Sequence, residues 1–378
     1  MASRPVVSAR TMSMTVQPAH DGPWKATMIV VMSPQATREQ TEVADALLRK
    51  DGLTPVVGQV AGATVLVTEG SGTLDLASAA TSSAGVERVV VVPGAQRLTS
   101  RLFRPENTRV TVGGPEGPVI GGDEFVVIAG PCAVETPLQM TAVVDTVADA
   151  GAAMLRGGAF KPRTSPYSFQ GLGVAGLALL AEQRGRTGLP VVTEVVTPDD
   201  VERVAEESDM LQIGTRNMQN FALLREAGAS GRPVLLKRGM AATIEEWLLA
   251  AEYLMHMGNE DVVLCERGIR SYERSTRFTL DLSAVAEAKR LTHLPVIVDP
   301  SHSTGQPHLV SPMSLAAAAC GADGLLIDVH TDAQAALCDG AQALDGGEFT
   351  ELMDRLKPVV EAVGRTLAQP RSRHLTQV

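Results

Sequence analysis

Apolar and polar positions alternate regularly through the last two thirds of the chain. Short apolar runs are separated by longer segments, and seven of the eight runs are preceded by a segment with the helical period. The runs lie at 124–129, 153–156, 190–195, 210–213, 233–237, 262–265, 295–298 and 325–329. Runs that are apolar throughout are typical of parallel strands with both faces buried. The pattern therefore predicts an α/β fold, and eight strands within about 250 residues favour a closed (β/α)8 TIM barrel over an open, doubly wound sheet.

The segment before these runs has a different order of elements. Its pattern predicts strand, helix, strand, strand, helix and strand, at 28–32, 37–50, 55–60, 63–68, 74–83 and 86–92. This βαββαβ order is typical of a ferredoxin-like domain, and the segment contains no cluster of catalytic residue types. A docking or small-ligand role and a purely structural role both stay open for such an appendage.

These patterns divide the chain into five parts. We expect a disordered tail at 1–25, a ferredoxin-like domain at 26–93, a linker at 94–122, the barrel at 123–368 and a C-terminal tail at 369–378. Two short apolar runs within the linker, separated by glycine and proline, predict a hairpin that closes one end of the barrel.

Composition restricts the partners that the chain can have. It carries 43 acidic and 33 basic side chains, a formal net charge of −10, and only 3% of its residues are aromatic. Acidity and scarce aromatic rings argue against a nucleic-acid partner. No apolar run approaches the ~20 residues that span a bilayer, so no membrane partner is expected. Four widely spaced cysteines without a signal peptide predict reduced thiols and a cytoplasmic location: Cys132, Cys265, Cys320 and Cys338.

Chemically active residue types are concentrated directly after the predicted strands. The carboxyl ends of parallel strands meet at one mouth of a barrel, so we expect these side chains to converge there. Residues 156–165, Arg-Gly-Gly-Ala-Phe-Lys-Pro-Arg-Thr-Ser, combine three cations and two hydroxyls with two glycines. Glycines let backbone amides approach an anion, and guanidinium groups match phosphate oxygens in pairs. The run predicts a pocket for a phosphorylated substrate, although a basic run taken alone could be a solvated loop.

Four residues near the strand ends could share a divalent metal ion: Cys132, His302, Asp328 and Asp339. A thiolate, an imidazole and two carboxylates suit Mn, Fe, Co or Zn better than Mg or Ca. Each of these residues also has a simpler explanation. A single cysteine after a strand is commonly a small buried apolar residue, and His302 could bond to the backbone of its own turn.

The strand-end motifs closely resemble those of the type I 3-deoxy-D-arabino-heptulosonate 7-phosphate (DAHP) synthases, in particular the subgroup with an N-terminal ferredoxin-like regulatory domain. The resemblance covers nearly all of residues 26–365. It rests on the 156–165 run and on Gly130-Pro131-Cys132, Gly214-Thr215-Arg216-Asn217, Leu236-Lys237-Arg238-Gly239, Cys265-Glu266-Arg267-Gly268 and Asp299-Pro300-Ser301-His302-Ser303. It implies a transferase that condenses phosphoenolpyruvate with erythrose 4-phosphate to DAHP and phosphate, the first step of the shikimate pathway to the aromatic amino acids.

The resemblance also implies a role for each matching residue. It implies a divalent metal ion, Mn, Co, Fe or Zn, held by Cys132, His302, Asp328 and Asp339. It implies that phosphoenolpyruvate is bound by Arg156, Lys161, Arg216, Lys237 and Arg267, and erythrose 4-phosphate by Arg163, Thr164 and Ser165. Lys161 and Glu266 are our candidates for catalytic proton transfer, although Glu266 could instead hold a neighbouring arginine in an ion pair.

The chain departs from the family pattern at two of these positions. The family usually has glutamate where this chain has Asp328, and alanine where it has Thr215. The first change shortens the reach of a predicted metal ligand by one methylene, which affects the geometry of the metal site. The second leaves the adjacent Arg216 in place.

Several alternatives remain open from the sequence. The related 3-deoxy-octulosonate 8-phosphate synthases use arabinose 5-phosphate, but the Lys-Pro-Arg-Thr run at 161–164 favours the four-carbon aldose. A Schiff-base aldolase could use Lys161 or Lys237. A non-catalytic, metabolite-sensing barrel is a third possibility. We also expect a homo-oligomer, a dimer or a tetramer, in which the ferredoxin-like domain binds an aromatic amino acid as inhibitor.

Overall fold

The computed structural model describes residues 27–60, 63–68, 74–92 and 96–370. The tail predicted at 1–25 lies outside the described residues, as do residues 371–378 of the predicted C-terminal tail.

Eight parallel strands form the predicted closed barrel. They are β7 (Glu124–Gly130), β8 (Met154–Arg156), β9 (Val191–Val195), β10 (Met210–Ile213), β11 (Val234–Lys237), β12 (Val262–Glu266), β13 (Val296–Val298) and β14 (Gly324–Asp328). Each strand pairs with the next in chain order, and β14 pairs in parallel with β7. This last pairing closes the sheet, so the (β/α)8 barrel is confirmed and the open sheet is excluded.

Helices cover the outside of the barrel between its strands. They are α3 (Pro137–Asp149), α4 (Val174–Thr187), α5 (Val201–Glu207), α6 (Phe221–Ala229), α7 (Ile244–His256), α8 (Leu282–Leu291), α9 (Pro300–Thr304), α10 (Pro307–Ala319) and α11 (Gly346–Ala362). A last short strand, β15 (Thr366–Leu367), joins the start of β7. In the part of the chain that the structure describes, no helix is long and apolar enough to cross a membrane.

The alternation of side chains along each strand determines which side chains point into the interior of the barrel. Met154, Leu235, Val263 and Leu326 belong to one buried cluster inside the barrel. Successive strand residues point to opposite faces, so the residue two positions later points inward as well. This rule directs the last side chains of β8, β11 and β14 into the barrel at its carboxyl-terminal mouth.

The N-terminal domain has the predicted ferredoxin-like fold. Its elements are β1 (Thr27–Met32), α1 (Arg38–Lys50), β2 (Pro55–Val60), β3 (Ala63–Thr68), α2 (Leu74–Thr81) and β4 (Val86–Val92). The strands form an antiparallel sheet in the order β2-β3-β1-β4. Met28 and Val30 of β1 pack with Leu48 of α1 in a small core, whereas Ile29 and Val31 belong to the larger core shared with the barrel.

A hairpin closes the amino-terminal end of the barrel. It consists of β5 (Val110–Thr111) and β6 (Val119–Ile120), and its apolar residues join the cluster inside the barrel. His293, which precedes β13, links this end to the linker. Its Nδ1 lies 2.7 Å from the Thr108 hydroxyl, and its Nε2 lies 2.7 Å from the Leu98 carbonyl oxygen.

Candidate active site

The polar side chains at the strand ends surround a single cavity of about 250 Å³ at the carboxyl-terminal mouth of the barrel. Predicted site residues that line it are Arg156, Lys161, Arg163, Thr164, Ser165, Arg216, Lys237, Arg267, His302 and Asp339. The structure thus brings together residues from six different strand ends. Cys132 and Asp328 lie directly behind this wall and contact residues of it.

The cavity has a strongly cationic wall. Arg156, Lys161, Lys237 and Arg267 are buried, and Arg163, Arg216 and Arg277 add three more positive charges, against the carboxylates of Glu194 and Asp339. Among the described residues, Nε of Arg156 is one of three buried side-chain nitrogen and oxygen atoms without a hydrogen-bond partner. Because burying an unpaired cationic donor is costly, such a wall suits anionic groups of a ligand.

Lys161 is held against the backbone of the loop that follows β7. Its Nζ donates to the Cys132 carbonyl oxygen at 3.1 Å and lies 3.3 Å from the Cys132 Sγ. A Cβ at position 158 would lie 2.6 Å from the Lys161 side chain, so glycine is needed there for this approach. Burial alone would lower the pKa of Lys161, but electrostatic interactions with Cys132 and Glu194 raise it above its ordinary value. Lys161 is therefore an ammonium group.

His302 lies at the start of α9, and its two ring nitrogens face different groups. Its Nδ1 is 2.9 Å from an Asp299 carboxylate oxygen, and its Nε2 is 3.7 Å from both the Cys132 Sγ and an Asp339 oxygen. Burial acts to lower the pKa of His302, but Asp299 and Asp328 raise it overall. A carboxylate on one nitrogen leaves the other free to bind a metal, which is the usual arrangement of a ligating histidine.

Cys132 lies at the centre of the candidate ligands. Its Sγ is 3.4 Å from Asp339 Oδ2 and 3.5 Å from the Cys338 Sγ. Its hydrogen bond with Cys338 and its burial both raise the pKa of the Cys132 thiol. Ligand atoms of Cys132, His302 and Asp328 lie within 4.8 Å of one another, and so do those of Cys132, Cys338 and Asp339.

Asp339 reaches Cys132 through an unusual backbone conformation. Its φ of 51° is the one positive value among the non-glycine residues that the structure describes. A left-handed aspartate costs about 1 kcal/mol. Burial would raise its pKa, but His302 and Arg277 hold the pKa of Asp339 well below its usual range. The carboxylate is therefore ionised next to Cys132.

Asp328 occupies the last position of β14, where it is 1% exposed. Its Oδ1 forms a buried ion pair with Arg156, and its Oδ2 accepts a hydrogen bond of 2.6 Å from Gln342. Oδ2 also lies 3.5 Å from the Nδ1 of His302, whereas the Cys132 Sγ approaches Nε2. Its role as a metal ligand stays a prediction, because both oxygens already have protein partners.

Glu266, one of the two candidates for proton transfer, lies outside the cavity wall. Val263 and Cys265 point into the barrel, so Glu266 points outward between the strands and helices and does not line the cavity. It is fully buried, where it pairs with Arg238 at 2.8 Å and accepts a hydrogen bond from the Gly268 amide at 2.6 Å. Burial raises the pKa of Glu266, and the Arg238 contact opposes that shift. The alternative that the sequence left open, an ion pair with an arginine, is the arrangement found.

Sequence reasoning missed seven residues of the cavity wall: Glu194, Gln212, Ser168, Met240, Arg277, Phe278 and Cys338. Glu194 and Gln212 are each the next-to-last residue of a predicted strand, so the alternation rule identifies them once the register is known. Arg267 stacks on the Phe278 ring at 4.1 Å from its centroid. Arg277 donates to Gln342 at 2.7 Å and pairs with Asp339. These loop contacts have no periodic signal in the sequence.

Comparison with known proteins identifies a family and several relatives of this chain. The family model described as the DAHP synthetase I family matches residues 107–364. A phospho-2-dehydro-3-deoxyheptonate aldolase of Thermotoga maritima is 45% identical over 337 residues, 89% of this chain and 99% of the relative. A 2-dehydro-3-deoxyphosphooctonate aldolase of Desulfatibacillum aliphaticivorans is 32% identical over 64% of this chain and 93% of its own.

Solved structures give the same result. The crystal structure of the phospho-2-dehydro-3-deoxyheptonate aldolase (DAHP synthase) from Thermotoga maritima matches with a TM-score of 0.72 and 44% identity, over 91% of this chain and all of that one. A truncated form of the 3-deoxy-D-arabino-heptulosonate 7-phosphate synthase from the same organism matches 73% of this chain with a TM-score of 0.68. With a family model that spans most of the barrel and a 45% identical relative aligned almost end to end, the chain belongs to the DAHP synthetase I family.

Proposed function

We propose that this chain condenses phosphoenolpyruvate with erythrose 4-phosphate to give DAHP and inorganic phosphate. One observation carries the proposal: seven cationic side chains line one cavity at the mouth of a barrel, and a cysteine–histidine–carboxylate cluster lies at its wall. Two phosphorylated substrates need that much positive charge, and family membership supports the choice of the pair.

The donor set fits a divalent metal ion. A thiol, an imidazole Nε2 and a carboxylate oxygen lie 3.4–3.7 Å from one another at Cys132, His302 and Asp339. In a tetrahedral site with bonds of 2.0–2.3 Å, neighbouring ligand atoms are separated by about 3.3–3.8 Å. When bound, the ion supplies a Lewis acid that makes the aldehyde carbon of erythrose 4-phosphate more electrophilic.

The residues of the chain position the two substrates for carbon–carbon bond formation. Arg156, Lys161, Lys237 and Arg267 are the buried cations, and with Arg216 they suit the carboxylate and phosphate of phosphoenolpyruvate. Arg163, Thr164 and Ser165 lie on the loop at the outer side of the cavity, where they suit the phosphate of the aldose. C3 of phosphoenolpyruvate attacks the aldehyde carbon, water adds at C2, and phosphate leaves. The Lys161 ammonium is the group that can donate a proton to the aldehyde oxygen.

The ammonium state of Lys161 argues against a Schiff-base aldolase at that residue, because only a neutral amine attacks a carbonyl carbon. Lys237 is tied to Asp299 at 2.5 Å in a buried ion pair, which leaves its nitrogen engaged. Treatment with borohydride in the presence of substrate should therefore leave activity intact.

Phosphate release from phosphoenolpyruvate tests the choice of aldose. Erythrose 4-phosphate should support release, and arabinose 5-phosphate should support little. A preference for arabinose 5-phosphate would instead indicate a 3-deoxy-octulosonate 8-phosphate synthase, and release with neither sugar in a folded, metal-loaded protein would favour a non-catalytic barrel.

A further inference from the structure

Cys338 is the one group at the candidate metal cluster to which neither the sequence motifs nor the family match assigns a role. It is 4% exposed and lines the cavity next to Asp339. The backbone is left-handed at Asp339, and ligand atoms of Cys338, Asp339 and Cys132 lie within 4.8 Å of one another. A strained backbone at a functional cluster suggests that the arrangement serves the site.

Three further candidate ligand atoms, from Cys338, His302 and Asp339, lie within 3.7 Å of the Cys132 Sγ. The Cys132 Sγ is 3.5 Å from the Cys338 Sγ, 3.7 Å from His302 Nε2 and 3.4 Å from Asp339 Oδ2, and the latter two are 3.7 Å apart. All four separations fall within the range of about 3.3–3.8 Å for a tetrahedral ion with sulfur, nitrogen and oxygen ligands.

Asp328 is a weaker candidate for the fourth position. Its Oδ1 pairs with Arg156, and its Oδ2 accepts from Gln342. Its approach to the histidine is to Nδ1, which already faces Asp299, whereas Cys132 and Asp339 face Nε2. A ligand atom of Asp328 does lie within 4.8 Å of those of Cys132 and His302, but binding an ion there would compete with the pairing to Arg156, and an unpaired buried charge is costly.

We propose that Cys338 is a metal ligand of this protein and completes a site of two thiolates, one imidazole and one carboxylate with Cys132, His302 and Asp339, while Asp328 anchors Arg156. The inference rests on the proposed function only in taking the cluster to be a metal site. Two thiolates favour zinc or cobalt over manganese, because soft sulfur ligands select softer ions. The Arg163 guanidinium contacts the Cys338 Sγ, so the aldose loop would touch the metal site through this ligand.

Cobalt binding counts the thiolates directly, since each thiolate–cobalt bond contributes to a near-ultraviolet charge-transfer band. In the reduced, full-length protein loaded with one equivalent of Co²⁺, Cys338→Ser should lower this band to about half, because one of two thiolates is lost. Cys132→Ser should have a similar effect, and the double variant should lose the band. Cys320→Ser is the matched control, because the Cys320 Sγ bonds the Ala317 carbonyl oxygen and does not line the cavity.

X-ray absorption of the zinc-loaded wild type provides a measurement that needs no variant. Two sulfur atoms at about 2.3 Å support the proposal. One sulfur atom, or a cobalt band that Cys338→Ser leaves unchanged while Cys132→Ser abolishes it, would overturn it. That outcome leaves the proposed reaction intact, since three ligands remain. A wild type that binds the metal with two sulfur ligands but produces no DAHP would instead overturn the proposed reaction and leave the proposed ligand set intact.

Discussion

The Asp299 carboxylate lies 2.9 Å from Nδ1 of His302, and this contact turns the other ring nitrogen toward the cavity. Asp299 is fully buried and its pKa is held well below the usual range: burial opposes ionisation, but His302 and Lys237 outweigh it. The ionised Asp299 carboxylate next to Nδ1 fixes the ring orientation and increases the basicity of Nε2. The relationship makes Asp299 a positioning residue of the candidate metal site.

Replacement of Asp299 by Asn should therefore weaken metal binding by about 10- to 100-fold, since the loss of such an outer carboxylate has effects of that size. The measurement is the affinity for Zn²⁺ or Co²⁺ by competition with a chromophoric chelator. Glu287→Gln, at an exposed pair with Arg290, is the control. An unchanged affinity in Asp299→Asn would show that His302 does not bind the ion through Nε2.

Glu266 provides a test that separates stability from catalysis. Because it pairs with Arg238 outside the cavity, Glu266→Gln should leave kcat within about tenfold, a barrier change near 1.4 kcal/mol. The free energy of unfolding should fall by about 3–5 kcal/mol, the usual cost of breaking a buried ion pair. Rate and denaturant unfolding should be measured on the same preparation. A loss of rate by a factor of thousands with normal stability would restore the catalytic role.

His293 predicts a specific dependence of stability on pH. Burial lowers its pKa to about 4, against an ordinary value of about 6.5. Below pH 6.5 the unfolded chain binds a proton that the folded chain excludes, so the free energy of unfolding decreases as the pH falls toward 4. The loss amounts to at most about 3 kcal/mol.

His293→Gln removes the titrating group and should flatten this part of the pH profile of unfolding. Exposed His256 is the control position, and His256→Gln should retain the wild-type slope. Equal slopes in the His293 variant and the wild type would show that His293 does not titrate differently in the two states.

The N-terminal domain yields a prediction about regulation. It has a complete fold, and none of its described residues lines the cavity, so we expect it to bind an aromatic amino acid between paired domains of an oligomer. Deletion of residues 1–93 should leave an active barrel that Tyr and Phe no longer inhibit. Inhibition curves and sedimentation of both forms measure this. A full-length enzyme indifferent to both amino acids would favour a docking role.

The sequence was sufficient to predict the barrel and the meeting of its strand ends. Strands that are apolar throughout need both faces buried, as in a parallel sheet covered by helices. When such a sheet closes into a barrel, the carboxyl ends of all its strands lie at one mouth. Arg156 and Lys237 are the last residues of their strands, so their position in the cavity wall could be predicted for the same reason. Side-chain direction was harder: Glu266 and Arg267 are neighbours, but only the register of β12 shows that the glutamate points outward.

The contacts that loop residues make in the site could not be predicted from the pattern of apolar and polar positions. Cys338 lies in a segment without helical or strand period, and its approach to Cys132 depends on the left-handed backbone at Asp339. Arg277 likewise reaches the cavity from the long loop between β12 and α8. Such contacts join residues far apart in the chain and are fixed by backbone conformation, which residue type alone does not specify.

The most direct test of the central claim is the identity of the product. Purified protein should be incubated with phosphoenolpyruvate and erythrose 4-phosphate, and the products should be identified by mass spectrometry. We predict a seven-carbon 3-deoxy sugar phosphate, formed in equal amounts with inorganic phosphate. Its formation should stop after chelation of the metal and resume when Zn²⁺ or Co²⁺ is added. Phosphate release without a new carbon–carbon bond, or full DAHP formation in verified metal-free protein, would contradict the account.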